Sequence, residues 1–190
     1  MTIVFRFCAL AFAIASGCAT VAPSPVLPAI GVMAANRVVL DARAIAARAP
    51  YTVFFFYAAH CPCVAAHDGR IRELYNEFHQ QGVQFIGIDS EISASPEASA
   101  DEARKHGYDF PILIDRGAPL ANALGAEYAT FTVVVDRRGL VYYRGGIDSD
   151  RTHLRADSTL YVRDALRALI AGRTPSIVSG EALGCALQTW

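Results

Sequence analysis

The hydrophobic and polar positions divide the chain into a nearly uncharged leader and a longer stretch in which apolar runs alternate with amphipathic ones. Residues 51–57 (YTVFFFY) are β-branched and aromatic with no polar alternation beyond Thr52, the pattern of a central strand buried on both faces. From 62 to 80 the apolar positions Val64, Ile71, Leu74, Tyr75 and Phe78 recur at helical spacing, and Gly82 ends that helix. Residues 83–89 (VQFIGID) predict a second strand, and 96–106 a polar helix capped by Ser95, opened by Pro96 and closed by Gly107. A short strand over 110–115 (FPILID) and a short helix over 119–124 follow. A strand over 131–135 then turns through Asp136-Arg137-Arg138-Gly139 into 140–144, an antiparallel hairpin. The last helix, 160–171, turns Leu160, Val162, Ala165, Leu166, Leu169 and Ile170 inward. Ahead of all these, Val38-Val39-Leu40 and an Ala-rich turn or two run up to Pro50.

Strands alternating with helices imply a mostly parallel sheet, and the hairpin adds an antiparallel edge. The expected fold class is α/β, a three-layer α/β/α sandwich with a mixed central sheet and a terminal β-hairpin plus helix.

Composition assigns the apolar excess. The 190 residues are 53% hydrophobic and 18% charged, yet Arg6 is the only charged residue among the first 35. Residues 1–17 read as a signal peptide: Arg6 supplies the positive start, 7–15 the apolar stretch, and small residues follow. Outside it no apolar run approaches the roughly 20 residues that cross a bilayer. Net charge is −1, and the cations are sixteen Arg and one Lys, Lys105, scattered among acids rather than gathered into a patch. Nucleic acid is therefore not an expected partner.

The end of the signal, Ala15-Ser16-Gly17-Cys18, resembles the lipobox of bacterial lipoproteins, in which the Cys is lipidated and becomes the mature N-terminus. That resemblance makes Cys18 a lipid anchor and the membrane a partner, and it implies an exported protein on the periplasmic side of a bacterial membrane. Pro23, Pro25 and Pro28 then suggest an extended tether. The expected division is a signal peptide over 1–17, lipidated Cys18 and tether over 18–36, one domain over 37–172, and a tail over 173–190 carrying Cys185. An exported domain keeps disulfides.

With Cys8 and Cys18 assigned to the leader, Cys61, Cys63 and Cys185 remain, too few and odd in number for a disulfide scaffold. Cys61 and Cys63 stand where the central strand gives way to a helix, the end of an open α/β sheet at which function gathers. With Pro62 as the first helical residue, Cys61 is the N-cap. Unpaired backbone N–H groups and the positive end of the helix dipole then favour thiolate over thiol, and the thiolate is the nucleophile of disulfide exchange.

The chain resembles the thioredoxin-like redoxins, in particular the exported branch related to thiol-disulfide exchange proteins and peroxiredoxins. The resemblance is carried by FFFYAAHCPC (54–63), GVQFIGIDSE (82–91), FPILID (110–115), LGAEYATFTVVVDRRGLVYYRGGID (124–148) and YVRDALRALIAG (161–172). It implies a thioredoxin-like fold and a thiol-disulfide oxidoreductase acting on protein or small-molecule thiols and disulfides without a cofactor. In that scheme Cys61 attacks and Cys63 resolves. Three departures stand out. One residue, Pro62, separates the cysteines where two are usual; Cα atoms so placed lie about 5.5 Å apart, within disulfide range but strained. Phe131 occupies the place of the family's cis-proline, and a cis bond before it costs about 3 kcal/mol. No Pro-x-x-x-Thr-x-x-Cys motif precedes Cys61, so thiol peroxidase is the weaker alternative.

A second reading makes the pair a copper or zinc site, with Cys61 and Cys63 joined by one or both of His60 and His67. Against it, His60 reads as a group that lowers a Cys pKa and His67 as a half-buried packing residue. Cys185 is either a third redox thiol or a free thiol in a disordered tail. Asp89 and Asp115, ending strands at the functional edge, read as loop caps, and the polar stretch 145–159 with His153 as a solvated connection.

Overall fold

The computed structural model describes residues 25–189. The signal peptide and Cys18 lie outside the described residues.

The sheet has eight strands: β1 (Gly31–Met33), β2 (Val39–Asp41), β3 (Tyr51–Tyr57), β4 (Val83–Asp89), β5 (Ile112–Ile114), β6 (Thr132–Asp136), β7 (Val141–Gly145) and β8 (Ser179–Gly180). Among the described residues five α-helices accompany it: α1 (Ala42–Ala46), α2 (Pro62–Phe78), α3 (Pro96–Lys105), α4 (Pro119–Leu124) and α5 (Tyr161–Ile170). Strand order is β2-β1-β5-β4-β3-β6-β7-β8. β3 runs parallel to β4 and antiparallel to β6, so it lies at the centre of a mixed sheet.

The apolar run of β3 is explained by that position. Val53, Phe55 and Tyr57 point into a core shared with α2 and α5; Phe54 and Phe56 point through the sheet into a second core with α1 and α4. A strand covered on both faces has no polar side to present. α2 buries Val64, His67, Ile71, Leu74 and Phe78 along one stripe and ends at Phe78. A single 3₁₀ turn over His79–Gln81 follows, closed by Gly82 at φ 84°. That φ is where glycine carries no Cβ penalty.

Two expectations about the chain ends are corrected. The tether expected over 18–36 joins the domain from about residue 26. Leu27 is fully buried, its N–H bonds to the Gly139 carbonyl at 2.7 Å, and β1 pairs with β2 and meets β5 through Met33 and Ile114. Tertiary burial of Leu27 and Val32 overrides the extended reading of the prolines. The tail after residue 172 is also ordered into the fold: β8 adds to β7, and residues 185–187 pair with residues 127–129.

Candidate functional site

The centre of interest lies where β3 ends and α2 begins. Cys61 is the N-cap of α2 (φ −78°, ψ 116°), Pro62 its first residue, and the chain enters through His60 in the left-handed region at φ 60°. Cys61 and Cys63 are both buried, at 5% and 1% exposure. Cys61 still lines a cleft of about 210 Å³, together with Tyr57, His60, Pro62, Val64, Lys105 and His106. Of the two helix cysteines it is thus Cys61 that borders this cleft, while Cys185 is half-buried.

Cys185 completes the site. Its Sγ lies 3.8 Å from Cys63 Sγ, and all three sulfurs fall within 4.8 Å of one another. The expected alternative of a free tail thiol is set aside by backbone pairing. The Ala129 N–H donates to the Cys185 carbonyl at 2.8 Å, and the Leu187 N–H to the Glu127 carbonyl at 2.9 Å. Further along, the Ile92 N–H donates to the Gln188 carbonyl at 2.8 Å. Gly184 permits the approach, because a Cβ there would stand 1.6 Å from the Ala129 carbonyl oxygen. No sequence spacing announced this contact, since it spans 122 residues.

Opposing influences act on Cys61. Burial raises its pKa most, and the neighbouring Cys185 thiol raises it further. The backbone N–H groups of Val64, Cys185 and Cys63 pull the other way, and the net direction is upward. The helix N-terminus thus supplies the expected stabilisation of a thiolate, but desolvation of the closed site outweighs it in the reduced form.

The histidines do not join the sulfurs. His60 is exposed at the cleft rim. His67 is fully buried rather than half-buried, with Nδ1 2.7 Å from the Cys63 carbonyl and Nε2 3.1 Å from Asp148 Oδ1. Both neighbours are acceptors, so each ring nitrogen is called on to donate, which requires the imidazolium. Burial opposes that charge, but the Asp148 carboxylate and the Cys63 carbonyl prevail and raise the His67 pKa. His67 is therefore spoken for, and among the described residues the cluster with ligand geometry is Cys61, Cys63 and Cys185.

Behind His67 runs a network that sequence reading missed. Arg70 Nη1 donates to Asp148 at 2.6 Å and to Asp150 at 2.9 Å, and the Asp150 N–H donates back to Asp148 at 2.8 Å. The stretch 145–159 expected to be a solvated connection therefore buries two carboxylates against α2, while His153 stays exposed. The alternation Asp148-Ser149-Asp150 opposite Arg70 was the available signal, but nothing local pairs them.

Phe131 is reached through a trans peptide, and the preceding Thr130 takes φ 74°. Phe131 packs edge-on against Phe56 and lines a separate open cleft of about 540 Å³ with Tyr128, Arg151 and the stretch from Glu181 to Gly184. Asp115 caps α4, accepting from the N–H groups of Leu120 and Ala121, as a loop cap should. Asp89 accepts from the Glu91 N–H and the Ser99 hydroxyl, and burial pushes its pKa up to about 6.

Residues 24–160 match the Redoxin family. ResA, a thiol-disulfide oxidoreductase of Halalkalibacterium halodurans, is 27% identical over 85 residues, 44% of this chain and 47% of that protein. The match thus spans about half the length of that relative. An uncharacterised conserved protein of Geobacillus kaustophilus superposes with a TM-score of 0.78 at 27% identity, over 89% of this chain and 92% of the other. The thioredoxin domain of a thiol-disulfide oxidoreductase from Bacteroides vulgatus superposes at 0.55 with 15% identity, over 70% and 91% of the two chains, a likeness of fold alone. The mixed sheet with helices on both faces is thus that of a thioredoxin-like α/β sandwich, and the chain belongs to the Redoxin family.

Proposed function

We propose that the protein is a thiol-disulfide oxidoreductase in which Cys61 exchanges with disulfides of proteins or small molecules. The observation that carries this reading is the placement of Cys61. It caps a helix N-terminus, opens onto a cleft, and has two further thiol sulfurs within 4.8 Å. Attack by the Cys61 thiolate on a substrate disulfide forms a mixed disulfide and releases one substrate thiol; a neighbouring protein thiol then displaces the second. The reverse sequence oxidises a substrate dithiol. Equilibration against a series of glutathione ratios with thiol trapping tests this: one disulfide per chain forms and is reduced reversibly, and Cys61→Ser abolishes exchange. A centre that stays fully reduced across the series overturns the reading.

The site is proposed to face an oxidising compartment. The pattern of residues 1–17 and Ala15-Ser16-Gly17-Cys18 supports export and a lipid on Cys18, which would hold the domain on the periplasmic side of a bacterial membrane. Incorporation of labelled palmitate that is lost in Cys18→Ala checks the anchor.

The mutual spacing of the three sulfurs favours one second reading, a soft monovalent copper site with three thiolate ligands. Copper(I) titration against a chromogenic chelator separates the two: tight binding by a protein that never forms a disulfide supports the metal.

A further inference from the structure

We propose that Cys185 is the resolving thiol of this centre, so that the disulfide formed at each turnover includes Cys185 and does not close within Cys61-Pro62-Cys63. The inference rests on the oxidoreductase reading given above.

Three observations carry it. Cys185 reaches both helix cysteines: its thiol contacts Cys63 Sγ at 3.8 Å, and its sulfur lies within 4.8 Å of Cys61 Sγ, close enough to act on the Cys61 thiol. Cys61 and Cys63, by contrast, sit on one rigid helical turn with Pro62 between them, where closing a disulfide strains the ring. The position of Cys185 is also built rather than incidental. Backbone pairing of 185–188 with residues 92 and 127–129 holds it, and Gly184 is packed where no side chain fits.

The electrons balance as follows. The Cys61 thiolate attacks a substrate disulfide, forming a Cys61–substrate bond and expelling one substrate thiolate. Cys185 Sγ attacks Cys61 Sγ, forming Cys61–Cys185 and expelling the second substrate thiolate, which takes the proton Cys185 loses. The substrate gains two electrons and the protein yields two. Cys63 can then attack Cys185 Sγ, moving the bond to Cys63–Cys185 and freeing the Cys61 thiolate. One of the three thiols is always left reduced.

The test uses the reduced full chain and one equivalent of an aromatic disulfide probe, dithiobis(nitrobenzoate). Wild type releases a first nitrothiolate on attack and a second on resolution. In Cys185→Ser the second release slows at least about tenfold and a nitrobenzoate adduct accumulates on Cys61, whereas Cys63→Ser resolves at close to the wild-type rate. The opposite pattern, with the adduct trapped in Cys63→Ser and not in Cys185→Ser, overturns the inference. Peptide mapping of oxidised wild type decides the matter without any variant: a bond from Cys185 to either helix cysteine supports it, and Cys61–Cys63 as the sole disulfide sinks it while leaving the oxidoreductase reading intact. If wild type releases no nitrothiolate and forms no disulfide, both fall.

Discussion

Gly184 is packed so closely against Ala129 that a Cβ on it would lie 1.6 Å from the Ala129 carbonyl oxygen and 2.6 Å from the carbonyl carbon. Both obstacles are backbone and neither can rotate away. The close approach of these two residues seats the next residue, Cys185, beside Cys63.

Gly184→Ala should therefore lift the tail off the edge formed by residues 127–129 while leaving the sheet and α2 folded. The expected outcome is faster alkylation of Cys185, followed by peptide mass, and a stability loss of about 1–3 kcal/mol, the usual range for overpacking. Unchanged Cys185 reactivity would show that the tail is held by something other than this approach.

The Cys61 thiol is shifted upward by burial first and by the Cys185 thiol second, against the pull of three backbone N–H groups. Its thiolate fraction at neutral pH is then lower than that of a free cysteine, whose pKa is about 8.5. Carboxamidomethylation of Cys61, resolved by peptide mass, should keep accelerating through pH 9 in the reduced protein. A plateau reached by pH 7 would mean that the helix N-terminus outweighs burial.

How much of this was legible beforehand follows from the range of each interaction. The buried run 51–57 and the helix opening at Pro62 were readable because each is fixed by a pattern inside one segment, and together they place Cys61 and Cys63 correctly. The burial of Leu27, the strand β1 and the return of the tail depend on partners far along the chain, and no local period records them. His67 shows the same limit. Its place on the inward stripe of α2 was visible, but its charge state is set by Asp148, 81 residues away. The Arg-rich composition hid Arg70 among fifteen others, so its role as the partner of two buried carboxylates had no distinguishing mark.

Asp148 compensates two cations at once, the buried His67 and the partly buried Arg70. Asp148→Asn removes the charge at nearly constant volume and should cost about 3 kcal/mol or more, as breaking a buried pair does. The deficit has a pH signature. Burial opposes the charged forms, but the His67 and Arg70 contacts lower the Asp148 pKa and the Asp148 carboxylate raises that of His67. The pair's contribution is then present above the ordinary Asp value and below the ordinary His value. It fades as pH falls through the lowered Asp148 pKa or rises through the raised His67 pKa. Denaturation midpoints should show the largest gap between wild type and variant near pH 5–6. A gap independent of pH would assign the loss to packing.

Asp89 offers a test with the opposite sign. Burial, helped by the charges of Glu91 and Glu102, raises its pKa to about 6, although the Glu91 N–H and the Ser99 hydroxyl both favour the carboxylate. A folded-state pKa above the unfolded value of about 3.9 means that the protonated acid stabilises the fold at low pH and that this contribution is lost as pH rises through 6. A shift of about two units corresponds to roughly 3 kcal/mol between pH 4 and pH 7. Asp89→Asn is neutral throughout and escapes the loss, whatever fixed cost its altered hydrogen bonds carry. Urea unfolding of both proteins across this range should show the stability difference moving toward the variant by up to about 3 kcal/mol as pH rises. A difference that stays constant, or moves toward wild type, would show that Asp89 is ionised in the fold at all these pH values, its charge satisfied by Ser99 and the turn at Glu91.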